Sequence, residues 1–145
     1  MATSVSMARQ LNAYLREWLG TRELSELQLV TLAEHGLPLT IVNTMTAHGL
    51  TNDEISDLVI HRRTLKHRRS KRQKLSKEES DRAIRTARIL ARSQATFGEA
   101  KTALEWMRRP QRRFEGKTPI QMMFTETGGR LVEEMLIQID EGMFA

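Results

Sequence analysis

Residues Leu58 to Lys77 read LVIHRRTLKHRRSKRQKLSK. Those twenty positions hold nine Lys or Arg and no Asp or Glu, while the rest of the chain carries 14 basic and 18 acidic residues. The formal net charge of +5 therefore comes from one element. A nucleic-acid-reading helix needs that concentration, because long cationic side chains on one exposed face neutralise phosphates and reach base edges. The tract follows a short helix predicted over about Asn52 to Val59, with Thr51 and Glu54 at capping-box spacing. A brief turn at Ile60 and His61 leads into a basic helix over about Arg62 to Gln73. Helix, tight turn and basic helix predict a helix-turn-helix whose second helix lies in the major groove. Arg62, Arg63, Lys66, Arg69 and Lys71 are the expected DNA contacts, and Leu65 alone among them is expected to point inward. A basic run also reads as a solvated linker, and Ser70 to Lys74 keep that second reading.

Outward from the tract, every predicted element is a helix. Met7, Leu11, Tyr14, Leu15, Trp18 and Leu19 recur at helical spacing, and Gly20 stops that helix. Its apolar stripe either packs on its own chain or meets a second copy. Helices are also predicted at about Glu26 to His35, ending at Gly36, and from Pro38 to about His48, ending at Gly49. Ser76 and Glu79 make another capping box and open the longest helix, about Lys77 to Phe97, closed by Gly98. Glu78–Arg82 and Asp81–Arg85 sit at i,i+4 and are expected to pair, each worth about 0.3 kcal/mol. A helix over about Glu99 to Arg109 ends at Pro110, and PQRRFEGK reads as a loop. Thr118 caps a short helix beginning at Pro119. The last helix, about Gly128 to Glu141, carries Leu131, Val132, Met135, Leu136 and Ile139 on one face. Gly142 ends it, before the apolar tail Met143-Phe144-Ala145.

Composition narrows the function. With 145 residues and 39% hydrophobic content, one domain or two small ones can form. There are no cysteines, which excludes disulfides and Cys-ligated zinc. No apolar run reaches the roughly 20 residues that span a bilayer, and the N-terminus has no signal-peptide core. A cytoplasmic protein with no membrane association is expected. His35, His48, His61 and His67 show no metal-ligand spacing. Glu78, Glu79 and Asp81 occupy a helix start where the dipole explains them. No activated nucleophile or phosphate loop is present, so no enzyme and no cofactor is expected.

The second half supplies ordered punctuation: Leu75-Ser76-x-Glu78-Glu79-Ser80-Asp81-Arg82, then Phe97-Gly98, then Ala103-Leu104-x-Trp106-x-x-x-Pro110. Gly116-x-Thr118-Pro119, Thr125-Glu126-x-Gly128, Leu131-Val132-x-x-x-Leu136 and Gly142 follow. This order resembles the C-terminal toxin-binding domain of the Xre/MbcA/ParS antitoxins, over about Leu75 to Ala145. The helices before it are consistent with the Xre-type DNA-binding part. The chain departs from the family in its turn, Val59-Ile60-His61-Arg62, where a glycine is frequent, and in its arginine-rich loop after Met107. The resemblance implies an all-α architecture: an amphipathic helix over 1–20, a helix-turn-helix region over 21–74, and a small toxin-binding domain over 75–145. It also implies an antitoxin of a type II toxin–antitoxin pair that blocks a RES-type toxin acting on NAD and represses its own operon. The expected partners are that toxin protein, operator DNA and, by the two-fold logic of helix-turn-helix proteins, a second copy in a homodimer.

Within that frame, Arg108, Arg109, Arg112 and Arg113 surround Pro110. They read either as a solvated loop or as a toxin contact, since guanidinium matches carboxylate and phosphate geometry. Met143, Phe144 and Ala145 read either as a tail packed on the last turn or as an anchor for a partner's pocket. Trp106 reads as core. A stand-alone helix-turn-helix regulator without a toxin is the alternative function.

Overall fold

The capping residues start their helices where the sequence places them. The computed structural model describes residues 2–22 and 24–143, with side chains from residue 7 onward. Among these residues the regular structure is α-helix plus one 3-10 turn: α1 (Ala2–Leu19), α2 (Glu26–His35), α3 (Thr40–Ala47), α4 (Asn52–Leu58), α5 (Arg62–Lys71), α6 (Lys77–Phe97), α7 (Ala100–Met107), the turn Arg112–Phe114, α8 (Pro119–Met122) and α9 (Glu126–Asp140). The protein is all-α, an N-terminal helix-turn-helix followed by a C-terminal helical domain. Reciprocal capping boxes open α2 (Ser25, Gln28), α4 (Thr51, Glu54), α6 (Ser76, Glu79) and α8 (Thr118, Gln121), each satisfying two backbone donors a helix start leaves open.

Helix α6 is the axis. Eleven of its residues are buried on several sides, among them Ser80, Ala83, Ala87, Ala91 and Ser93. Small side chains let neighbouring helices approach from different directions, so α1, α2, α7 and α9 all pack on it. The end of the α1 stripe, Trp18 and Leu19, is buried against its own chain, with Tyr14 and Leu15 half-buried beside it. Trp18 is 1% exposed and its indole N–H donates to Gln94 Oε1 of α6 at 3.1 Å. The expected i,i+4 pairs on α6 do not form. Arg82 instead donates through Nε to the Val59 carbonyl at 2.9 Å, fastening α6 to the end of α4.

The segment joining α5 to α6 is equally fixed. Leu75 is buried, its N–H donates to Leu37 O at 2.9 Å, and the Leu37 N–H donates to Ser80 Oγ at 2.8 Å. Gly36 sits at φ +87, and a Cβ there would lie 2.4 Å from the Leu75 carbonyl oxygen. Chain therefore crosses chain at this corner, and only glycine permits it.

In the C-terminal part, α9 begins earlier than the sequence spacing predicts. Thr125 caps it through the Gly128 N–H at 3.0 Å, so Gly128 and Gly129 lie inside the first turns. A Cβ on Gly128 would stand 1.9 Å from Met122 O, so the glycine allows α9 to cross the end of α8. The predicted apolar face of α9 divides: Val132, Met135 and Leu136 are buried, whereas Leu131 is 43% exposed. The segment predicted as a loop contains the 3-10 turn, and Phe114 enters the core from it.

Gly128→Ala is expected to destabilise the protein by about 2 kcal/mol or more, because the obstacle is backbone and cannot rotate away. Gly129→Ala meets only side-chain atoms, Ile89 Cδ1 at 3.2 Å and Arg85 Cδ at 4.0 Å, and gains helix propensity, so it should be close to neutral. Urea unfolding of the two variants measures the contrast.

Candidate nucleic-acid and partner surfaces

The turn between α4 and α5 is apolar. Val59 and Ile60 are both buried, and the Ile60 N–H donates to Ile55 O at 3.2 Å. Burial of these two side chains holds the turn without a glycine. His61 then caps α5, its Nδ1 accepting the Arg63 N–H at 3.3 Å, while Ser56 Oγ accepts the Arg62 N–H at 3.2 Å. Both starting donors of α5 are thus met by the turn and by α4.

The structure sorts the cations of α5. Leu65 packs on the core, as its isolation in the basic tract predicts. Arg63, Lys66 and Lys71 are exposed and have no side-chain partner among the described residues. Arg62 pairs with Asp53 of α4, and Arg69 Nη2 donates to Asn43 Oδ1 at 3.4 Å. The helix stops at Lys71, two residues short of the expectation, where Arg72 takes a left-handed conformation at φ 54.

One cation of the tract faces inward. Arg68 Nε donates to Glu79 Oε1 at 2.8 Å and Nη2 to Oε2 at 3.2 Å, a two-pronged pair in which the carboxylate is nearly buried. Glu79 Oε1 also accepts the Ser76 N–H at 2.7 Å. Burial pushes the Glu79 carboxyl up, but the Arg68 fork and the Ser76 N–H outweigh it, so the group titrates below its ordinary 4.5. The sequence reading missed this pair because the capping role of Glu79 accounts for the residue without any tertiary partner.

The arginine loop divides as well. Arg108, expected at the toxin contact, lies on a brace within the chain. Its Nε donates to Glu54 Oε2 at 2.9 Å, and its Nη2 to Glu54 Oε1 at 2.8 Å and Gly49 O at 2.7 Å. Burial raises the Glu54 carboxyl, the Arg108 and Thr51 bonds lower it further, and the net shift is downward; the same bond raises Arg108. Arg109 and Arg112 are exposed and have no side-chain partner among the described residues. Arg113 Nη1 donates to Gln138 Oε1 of α9 at 3.1 Å and borders a shallow cleft of about 130 Å³ with Phe114, Leu131, Glu134 and Met135. Leu131, which the spacing puts on one face with Val132, Met135, Leu136 and Ile139, belongs to this surface. At the chain end, the Met143 N–H folds back to Gln138 O at 3.0 Å, yet its side chain is 65% exposed. Phe144 and Ala145 lie outside the described residues. Trp106, expected in the core, is half-buried and packs against its edge beside Phe97, ring centroids 5.2 Å apart.

Residues 28–88 match the family described as the antitoxin Xre-like helix-turn-helix domain. Residues 92–142 match the antitoxin Xre/MbcA/ParS C-terminal toxin-binding domain. The first match contains α4, the turn, α5 and the Leu75–Arg82 motif, and the two matches adjoin within α6. A Pseudomonas putida protein named Antitoxin Xre is 40% identical over 134 residues, covering 92% of this chain and 84% of the relative. A Photorhabdus laumondii protein of the same name is 30% identical over 118 residues, covering 79% and 80% respectively.

Arg68→Ala leaves a nearly buried carboxylate without its fork and should cost about 2 kcal/mol at neutral pH. Glu79→Gln removes the charge, and its effect should depend on pH. The folded pKa of Glu79 is depressed, so its stabilising contribution is present above the unfolded value and lost as pH falls through the folded one. The gap between wild type and Glu79→Gln in urea midpoint should therefore narrow as pH drops below about 4.5.

Proposed function

The chain belongs to the Xre antitoxin family, and from that footing we propose that it neutralises a RES-type, NAD-acting toxin and represses its own operon as a homodimer in the cytoplasm. That the protein is an antitoxin with helix-turn-helix and toxin-binding domains follows from the two family matches and the relatives. The RES partner is supported by the ordered motifs after Leu75, and autorepression by the exposed cations of α5.

The observation that carries the proposal is the presence of two groups of exposed cations, one on α5 and one on the loop after α7. Arg63, Lys66 and Lys71 project from α5, with Arg62 and Arg69 beside them, and meet the needs of phosphate neutralisation and base reading. Arg109, Arg112 and Arg113 lie on the other half of the chain, and Arg113 borders the cleft that Leu131 lines. Arginine is among the residue types enriched at binding hot spots, and Arg113 borders that cleft. Met143, Phe144 and Ala145 are proposed as a second toxin contact. In a homodimer, two copies of α5 would read two half-sites about one helical turn apart.

Replacing Arg62, Arg63 and Lys66 with Ala should abolish binding to the chain's own promoter and leave toxin neutralisation intact. For every phosphate that is no longer neutralised, the log–log salt slope should also become shallower by about 0.9. Replacing Arg109 and Arg112 with Ala, or deleting Met143 to Ala145, should do the reverse. Removing the anchor at a hot spot typically costs about 2 kcal/mol, roughly thirtyfold in affinity. Gel-shift titration, growth of cells expressing the adjacent toxin gene, and NAD consumption by that toxin give the three readouts. A toxin that leaves NAD untouched overturns the RES assignment, and neutralisation by both C-terminal variants removes that surface.

A further inference from the structure

We propose that Asp53 is a specificity-determining positioning residue, which holds Arg62 for guanine reading and keeps it from the phosphate backbone. The proposal rests on the DNA-binding reading of α5 and deepens it. Arg62 stands first on α5, and its backbone is fixed by Ser56 Oγ on α4. Asp53, Ser56 and Asp57 occupy one face of α4 at i, i+3 and i+4, and share a surface depression with His61, Arg62, Arg63 and Lys66. Within that depression Arg62 alone has a carboxylate partner, Asp53, while Arg63 and Lys66 have none among the described residues.

Stability does not account for the pair. Both side chains are open to solvent, at 66% for Arg62 and 86% for Asp53, and such pairs contribute little to folding. Two acidic side chains at the DNA-facing end of a cationic surface also oppose phosphate binding. The Asp53 carboxylate makes sense where charge neutralisation is not the task of the cation it touches. A guanidinium has five N–H donors in a planar fork, so a carboxylate oxygen on Nη2 restrains where the group points and leaves its other N–H donors free. Those free donors match O6 and N7 of guanine in the major groove. Arg63 and Lys66, uncompensated, serve the phosphates. One helix start thus separates sequence reading from affinity.

The test is selection of bound duplexes from a randomised library by the full-length wild type, Asp53→Ala, Asp53→Ser, Asp53→Glu, Arg62→Ala and Lys66→Ala. Wild type should enrich a motif with guanine at one position of each half-site. Arg62→Ala, Asp53→Ala and Asp53→Ser should all lose that preference, by about tenfold or more in discrimination, at the same position and no other. Asp53→Glu should restore it. Lys66→Ala should keep the motif and weaken every sequence alike. On a random duplex, Asp53→Ala should bind more tightly than wild type, with a salt slope steeper by up to about 0.9 as the released Arg62 reaches a phosphate. Asp53→Ala and Asp53→Ser that keep the guanine lost in Arg62→Ala overturn the proposal while leaving DNA binding intact. A wild type that enriches no motif and binds no duplex overturns the DNA-binding reading itself, and this inference with it.

Discussion

The Glu79 carboxylate is the joint on which the arrangement turns. One oxygen closes the start of α6 by accepting the Ser76 N–H, and both oxygens receive the Arg68 fork from α5. A local helix cap and a tertiary anchor are thus the same group. The basic helix would otherwise hold to the body chiefly through Leu65, since α5 has no buried residue of its own. A helix of repelling cations is a poor candidate for hydrophobic docking. Taking one arginine out of the repelling set and turning it onto a buried carboxylate solves two problems together. It lowers the charge density of the exposed face and supplies a directional bond that sets the rotation of α5 about its axis. Which cations face outward follows from that rotation.

The same economy recurs along α6. A central helix surrounded on several sides is usually apolar all round, but bulky side chains would hold its neighbours at a distance. Here Ser80, Ala83, Ala87, Ala91 and Ser93 keep the surface small, and buried polar groups make long-range bonds. Ser80 Oγ accepts the Leu37 N–H and Gln94 accepts the Trp18 indole N–H. Both of these buried side chains meet a partner far away in sequence, as desolvation requires. The helix-turn-helix and the toxin-binding part consequently meet along one shared helix, and no free linker lies between them.

Much of this was legible in the sequence because it is local. Thr51–Glu54, Ser76–Glu79 and Thr118 act through neighbours three residues away, so their helix starts could be read directly, and the basic tract announced α5. The misses share a different cause. Gly128 and Gly129 look like a helix start, yet they are interior glycines, the first demanded by the Met122 carbonyl, which periodicity does not reveal. Leu131 has the right spacing for the core but lies just outside the arc α9 buries. Arg68 and Arg108 look like their exposed neighbours, and what distinguishes them is a carboxylate 11 residues away in one case and 54 in the other. Charge composition gives the sign of a surface. Which members of the set are occupied internally is decided by tertiary geometry.

That last point bears on how the two surfaces relate. Arg108 begins the arginine loop but is bound to Glu54, whose other bond closes the α4 capping box, and to the Gly49 carbonyl just before it. The loop carrying Arg109 and Arg112 is therefore clamped to the first helix of the DNA-reading pair. Two exposed surfaces can serve separate partners only if each can be altered without disturbing the other. At Arg109 and Arg112 the side chains leave the scaffold, so that condition holds. At Arg108 it fails, because truncation would strip a half-buried carboxylate and loosen the start of α4, next to the Asp53–Arg62 pair. Four arginines that composition treats as equivalent thus belong to two mechanical classes, and the independence of the two surfaces rests on the exposed class alone.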